Sequence, residues 1–413
     1  MNTATLLSTR TRSRELDLVF PGEVAYQPKR GMELVDLQSL GILPMVAGGA
    51  RGTNTEGDVL TQTVDGRDLN ELWAEFQATV QAQNAERQRL IQFLTFPVTS
   101  PVEDVAQFVG DDFEEASEFG EPKGIRASGT YFSLGYDFKW YDLAARFTWK
   151  FLAEADARQV EAINNAALEA DSRLVFQRVF KTIFDERNLQ TDIRGQAYPV
   201  YKFYNGDGTV PPAYNGQNFD GAHTHYYTSG AATVDAGDVE EIIDHLKHHG
   251  YSTINGHRVV IMAHSAQAKI IRQFRFGTNG ATFDFIPAQG QPGQLFVPGT
   301  VLMGSQPSPD LQGLNVIGSY GNALIVENDY IPAGYLFGFA SGGAENLQNP
   351  VGFREHANAG LRGLRLVKGA NADYPLVDSF YNRGFGTGIR HRGAGVVVQI
   401  SAAAEYSTPA QYA

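Results

Sequence analysis

The chain has 413 residues, 43% hydrophobic and 19% charged, which is long and apolar enough for two or three domains with real cores. Its formal net charge of −13 argues against a protein whose main task is gripping nucleic acid, because phosphate contacts need clustered Lys and Arg. The lack of cysteine removes disulfides, thiolate zinc sites and cysteine nucleophiles together, and fits a reducing compartment.

No apolar run approaches the ~18 residues a membrane helix needs. Arg10, Arg12, Arg14 and Glu15 stand where a signal peptide would have its apolar core, so a soluble protein made in the cytoplasm is expected. Residues 1–66 show little periodicity and read as an extended arm ordered by what it touches. From Asp68, Leu69, Leu72, Trp73, Phe76 and Val80 recur at helical spacing, predicting a helix to about Leu94 that Pro97 and Pro101 end.

A long acidic hairpin over 101–150 follows. Phe132, Leu134, Tyr136, Phe138 and Trp140 alternate with Ser133, Gly135, Asp137 and Lys139, the period of a half-buried strand. The preceding arm, 105–119, joins it through Glu121-Pro122-Lys123-Gly124, which suits a type I turn. Each arm would reach about 50 Å at about 3.3 Å per residue. An isolated two-stranded hairpin is marginal in water, so the aromatic face is expected to lie on another copy of the chain. Phe147, Trp149 and Phe151 continue the alternation and close the hairpin.

Residues 153–187 predict one long spine helix, striped by Ile163, Ala167, Ala170 and Leu174 and then by Val175, Val179 and Ile183. The stretch 195–234 is rich in Gly, Pro, Asn and Tyr and lacks a period. Val239, Ile242, Ile243 and Leu246 predict a helix capped by Asp238 with Glu241 and stopped by Gly250. Val259 to Ala263 reads as a buried strand, and Ser265 as the cap of a helix burying Ile270, Ile271 and Phe274. Strands are expected at 314–318, 322–327, 333–340, 361–367, 376–381 and 394–401, before a short polar tail.

This order of elements resembles the major capsid proteins of tailed bacteriophages, the Hong Kong 97-type fold. Three pieces carry the likeness: 238–246 with 257–265 (His257-Arg-Val-Val-Ile-Met-Ala-His-Ser), 322–339, and the ending Ile389-Arg-His-Arg-Gly-Ala-Gly-Val-Val-Val-Gln-Ile. In the family these look like the helix and strand opening the axial domain, paired strands near the return crossing, and the closing strand of the peripheral domain. The resemblance implies an α+β fold in six parts: an N-terminal arm 1–66, a helix 67–100 leading to the hairpin, and an extended loop 101–150 that lies across a neighbouring subunit. A peripheral domain 151–234 with the spine helix, an axial domain 235–345, and a return 346–413 complete it. It further implies no enzyme and no cofactor. The expected function is structural: pentamers and hexamers of an icosahedral shell enclosing double-stranded DNA without sequence-specific binding, assembled in the host cytoplasm. Scaffold, portal and cement proteins are possible partners, with no long charged scaffolding helix ahead of the arm in this sequence. An encapsulin-like nanocompartment of the same fold is the alternative, and a soluble metal-dependent hydrolase the alternative from another class.

Charge patterning points the same way independently. Between Pro101 and Glu121 stand eight acids, including Asp111, Asp112, Glu114, Glu115, Glu118 and Glu121, and no base. Between Pro350 and Ile400 stand seven bases, including Arg354, Arg362, Arg365, Arg390 and Arg392, against three acids. The acidic arm of one subunit is therefore expected to dock near the basic C-terminal third of a neighbour, with Lys123, Phe132, Leu134 and Tyr136 in the same interface. A solvated acidic loop accounts for the charge run equally well.

Other chemistry is weaker. His245 and His249 are spaced i, i+4 on one helix and His223 and His225 sit in the Gly/Tyr-rich loop, but neither pair has a ligand-spaced partner, so no metal ligands are assigned. His264-Ser265 lacks a nucleophile elbow. Gly384, Gly386 and Gly388 read as a tight turn between strands, because no helix follows them. Arg10, Arg12 and Arg14 could touch DNA but suit a solvated or subunit-contacting arm better. An isopeptide bond from Lys123 or Lys139 to Asn358, Asn371 or Asn382, which some relatives form, has no local pattern to fix it.

Overall fold

Leu69, Leu72, Phe76 and Val80 share one helical face, and burying that face makes helix α1 (Leu69–Ala85). The computed structural model describes residues 62–85, 89–106, 115–116, 118, 120, 131–147, 149–278, 280–290, 306–311, 314–368 and 378–413. The rest of the helix expected to Leu94 is α2 (Arg89–Leu94), which runs directly into strand β1 (Thr95–Val98). Pro97 does not merely end the helix: it sits exposed in β1, which has a strand on one side only and can spare the missing N–H.

The hairpin is present at its base, where β2 (Val102–Ala106) pairs antiparallel with β3 (Tyr131–Gly135). The single strand expected from Phe132 to Trp140 instead stops at Gly135, and β4 (Asp137–Arg146) leaves for a different sheet. The alternation expected through Phe147, Trp149 and Phe151 gives way to a short helix, α3 (Trp149–Glu154), with the Phe147 and Phe151 rings stacked at 5.9 Å across one turn. The spine is α4 (Ala157–Phe184), about 42 Å long at 1.5 Å per residue. Asp156 caps it by accepting from the Gln159 N–H at 2.9 Å, while the Gln159 side chain accepts from the Asp156 N–H.

At the start of the stretch read as lacking a period, a hairpin forms from β5 (Leu189–Ile193) and β6 (Gln196–Val200), turned by Arg194 and Gly195 at φ 58° and 82°. Positive φ at both turn positions suits a two-residue hairpin, though Arg in the first hides the signal. Then come β7 (Tyr226–Thr228), α5 (Ala236–His248), β8 (Arg258–Ala263), α6 (Ser265–Ile271), β9 (Phe285–Pro287), β10 (Asp310–Leu311), β11 (Leu314–Tyr320), β12 (Ala323–Glu327), β13 (Tyr335–Ser341), β14 (Val351–Glu355), β15 (Leu364–Lys368), β16 (Asp378–Ile389) and β17 (Gly395–Gln399). The cap of α5 is Asp235 with Asp238, three residues before the expected one; Gly250 does end the helix, at φ 85°. The cap of α6 is His264, whose Nδ1 accepts from the Ala266 N–H, and Ser265 is the first helical residue.

Two sheets organise the chain. The larger runs β10-β11-β12-β8-β13-β17-β7, with β9 also on β11. Its centre, β8, sends Val260 and Met262 into one core and Val259, Ile261 and Ala263 into another. Phe180, Ile183 and Phe184 of α4 pack in the first, and Ile242, Ile243 and Leu246 of α5 in the second. Burial on both faces is why β8 reads as one unbroken apolar run. The 322–339 strands are not paired with each other, since β8 lies between β12 and β13. Nor does β17 close a separate peripheral sheet, because it pairs with β13.

The smaller sheet runs β1-β14-β16-β15, with β4 on the free side of β16. Gly384, Gly386 and Gly388 lie inside β16 and make no turn. A Cβ on Gly386 would stand 2.5 Å from the Asp137 carbonyl oxygen, and one on Gly384 2.5 Å from the Trp140 ring, so the glycines admit β4 and its aromatics. The polar tail is docked: Tyr406 Oη donates to the Phe184 carbonyl at 2.8 Å, and the Tyr412 ring stacks on Phe184 at 5.4 Å.

Candidate assembly surface and a histidine cluster

At the base of the hairpin the expected interface residues divide. Leu134 and Tyr136 are fully buried in their own subunit with Phe96 and Val98 of β1, and Phe132 is half-buried with its ring edge-on to Tyr201 at 5.2 Å. Burial within the subunit removes Leu134 and Tyr136 from the contact expected with a neighbouring copy; Phe132, only half-buried, is not removed from it. Next to them, Gly135 lets Thr191 and Tyr198 of the β5–β6 hairpin close over β3, where a Cβ would meet Thr191 at 2.7 Å. Tyr136 Oη donates to Glu103 Oε2 at 2.6 Å, and burial, reinforced by that carboxylate, pushes its pKa far above the usual tyrosine range.

Four of the five arginines expected to meet a neighbour's acids make contacts within the chain, though Arg362 does so while exposed. Arg392 is 3% exposed; it donates to the Lys202 carbonyl and to Asp207 Oδ2, both at 2.8 Å, and lies over the Tyr204 ring. It therefore braces the 201–207 turn and is not available to a neighbour. Arg354 covers the Phe138 ring at 4.8 Å and donates to the Tyr136 carbonyl. Arg390 Nη1 stands 3.9 Å from Glu103 Oε2, so one acid of the hairpin meets one base of the C-terminal third in the same chain. Arg362 is exposed and donates to the His356 and Ala357 carbonyls, and Arg365 is half-exposed on β15. Glu115 and Glu118 are exposed, while Asp111, Asp112, Glu114, Glu121 and Lys123 lie outside the described residues. The surface that β3 and β4 leave open carries Tyr131, Trp140 and Leu143, the last two each 46% exposed.

For the isopeptide pairs, Lys139 is 3.6 Å from Asp137, Asn358 accepts from the Gly360 N–H and Asn382 donates to Asp142; Asn371 lies outside the described residues.

The histidines treated as two separate pairs in the sequence come together. The loop before β7 carries His223 and His225, and the C-terminal end of α5 carries His248 and His249. The Nε2 atoms of His223, His225 and His249 lie 3.1, 2.9 and 2.9 Å from one another. One ring nitrogen from each of the four falls within 4.8 Å of the others. His225 is fully buried and its Nδ1 lies 2.7 Å from the Gly395 carbonyl of β17. His248 Nε2 is buried with no hydrogen-bond partner. Phe219 stacks on His249 at 4.4 Å and Tyr204 flanks it at 5.7 Å. Gly393 lets the β17 approach pass close by, since a Cβ there would be 3.0 Å from the His249 ring. Burial, with the neighbouring imidazoles adding, depresses His248 to about 4 and His249 to about 2, and holds His223 and His225 below the usual histidine range. His245 packs beside the cluster, its ring 4.9 Å from that of His248, but its Nδ1 lies on the Glu241 carbonyl and its ring stacks on Tyr227, so it is not one of the four. The signal overlooked in the sequence is a His-x-His followed by an adjacent His-His.

Comparison with solved structures finds a chain of Mycobacterium phage Patience at 47% identity, covering 88% of this chain and 98% of that one with a TM-score of 0.66. The capsid of an empty GTA particle matches at 12% identity over 75% of this chain and 89% of its own, with a TM-score of 0.40. The encapsulin of Synechococcus elongatus matches at 12% over 80% and 98%, also at 0.40. No family model matches the chain, and no curated protein does.

Proposed function

This chain belongs to the tailed-bacteriophage major capsid proteins of the Hong Kong 97-type fold, and we propose that it builds an icosahedral shell of pentamers and hexamers around double-stranded DNA. The observation that carries the reading is the 47% identity extending over 98% of the phage chain. In this reading, residues 101–150 are the extended loop reaching a neighbour, 151–234 and 346–413 the peripheral domain around α4, apart from β7 and β17, which join the sheet of the axial domain 235–345, and 1–66 is the arm.

The contact proposed between subunits is narrower than charge alone suggests. Arg362 and Arg365 remain at the surface as partners for a neighbour's acidic loop, whose members Glu115 and Glu118 are exposed. Each exposed pair contributes only ~0–1 kcal/mol, so such pairs select register more than they supply strength. Repetition over many interfaces gives them weight.

Negative-stain microscopy of the purified chain, alone and co-expressed with neighbouring genes, tests the function. Closed shells or hexamer sheets are expected; discrete small particles in both preparations would overturn it. For the charge contact, Glu114→Lys with Glu115→Lys should impair shells while the subunit's melting temperature holds, and normal shells from that variant would remove the acidic loop from the interface.

A further inference from the structure

We propose that His223, His225, His248 and His249 form a closed, structural site for a divalent transition-metal ion, with zinc the best match to an all-imidazole tetrahedral set. The site joins the loop ahead of β7 to the end of α5, beside the start of β17.

Geometry and proton placement argue for it together. A carbonyl oxygen can only accept, so the 2.7 Å contact with Gly395 puts the proton of His225 on Nδ1. The Nε2 of the neutral ring is then a bare lone pair, aimed at the Nε2 atoms of His223 and His249. Each of those two rings has at most one N–H to give at Nε2. If both donate to His225, their own 2.9 Å contact sets one N–H against another; if one donates or neither does, at least one contact sets two lone pairs together. No arrangement of protons satisfies all three contacts, whereas one cation among three lone pairs satisfies them at once. Tetrahedral zinc with Zn–N bonds of ~2.0–2.1 Å places its ligands roughly 3.3 Å apart, so the three rings need to part by only a few tenths of an ångström. His248 supplies the fourth position, and its Nε2 is buried with no other partner.

The surroundings are those of a metal ligand set. The His225 Nδ1–H on a backbone carbonyl is the outer contact that orients a ligating imidazole and fixes its tautomer. Phe219 and Tyr204 stack about His249 and keep water from the centre. Four protein ligands leave no open position for a reacting water, so the ion acts as a staple and not as a catalyst. It would hold the loop carrying His223 and His225 to α5, whose ligands lie more than twenty residues on in sequence. Because the ion binds the folded arrangement and not the unfolded chain, its affinity adds directly to stability.

The test is titration of the full chain, stripped with a chelator, first with Co(II) as a spectroscopic probe and then with Zn(II). The expected result is the visible absorption of tetrahedral Co(II), saturating at one equivalent per chain and displaced by zinc, with zinc raising the melting temperature. His223→Gln, at a half-buried ring, and the double variant His223→Gln with His249→Gln should lose both the absorption and the thermal shift. His264→Gln and His356→Gln, at histidines outside the cluster, should keep them. Absence of saturable one-to-one absorption in the wild-type chain would overturn the site by itself, whatever the variants' folding. So would absorption that persists undiminished in the double variant.

Discussion

Single residues in this chain show burial outweighing charge. Asp171 and Arg383 form an ion pair that is almost wholly buried, yet the Asp171 pKa is raised because desolvation exceeds the pull of the guanidinium, and its Oδ1 has no hydrogen-bond partner. Asp238 is a clearer case. Burial pushes its carboxyl up to about 6, against the Asp235 N–H that it accepts from and with the Asp235 and Glu241 carboxylates adding; the Tyr227 hydroxyl of β7 faces the same acids. The folded state holds this proton more tightly than the unfolded chain does. The resulting stability is fully present below the ordinary carboxylate range near ~3.9 and is lost as pH rises through about 6. Asp238→Asn should therefore flatten the fall of melting temperature between about pH 4 and 6. Parallel curves for variant and wild type would show that Asp238 does not titrate there.

Among elements, the packing of α5 on the large sheet depends on one missing side chain. A Cβ on Gly338 of β13 would stand 2.1 Å from Ile242 Cγ2 of α5. Gly338→Ala should overpack that contact and destabilise by ~1–3 kcal/mol. Ile242→Ala opens a cavity instead, at a cost of ~2–5 kcal/mol. Combined, the two should cost less than their sum, because each relieves the fault the other creates. Urea midpoints of the unassembled subunit measure this coupling, and strict additivity would mean that the helix shifts on the sheet to absorb the methyl. The same logic explains Gly384, Gly386 and Gly388, which look like a turn in a linear reading but serve a strand whose neighbour must come close.

For the whole molecule, what remains uncovered matters most. β4 is ten residues long and, among the described residues, pairs as a strand with β16 alone, so its other edge and the exposed Leu143, with Tyr131 of β3, are left for something outside the subunit. Tyr131→Lys with Leu143→Lys should leave the subunit's stability within about 0.5 kcal/mol, as surface changes do, while reducing the yield of shells under negative stain. Unchanged yield would place the subunit contacts elsewhere, and a large drop in melting temperature would show that these side chains hold the subunit itself.

Linear order and periodicity were enough to locate α1, α4, α5, β8 and the base of the hairpin, and to bring out the family likeness before any coordinates. They carry that information because a buried face repeats at its element's own period whatever buries it. Period does not say what the burying partner is. Leu134 and Tyr136 alternate as a strand facing another surface should, yet the surface is β1 of the same chain. The β12–β8–β13 order, the capture of Arg392 by the 201–207 turn and the meeting of four histidines are equally invisible along the sequence. His225 and Gly395 are 170 positions apart, and only the pairing of β7 with β17 sets them at hydrogen-bond distance.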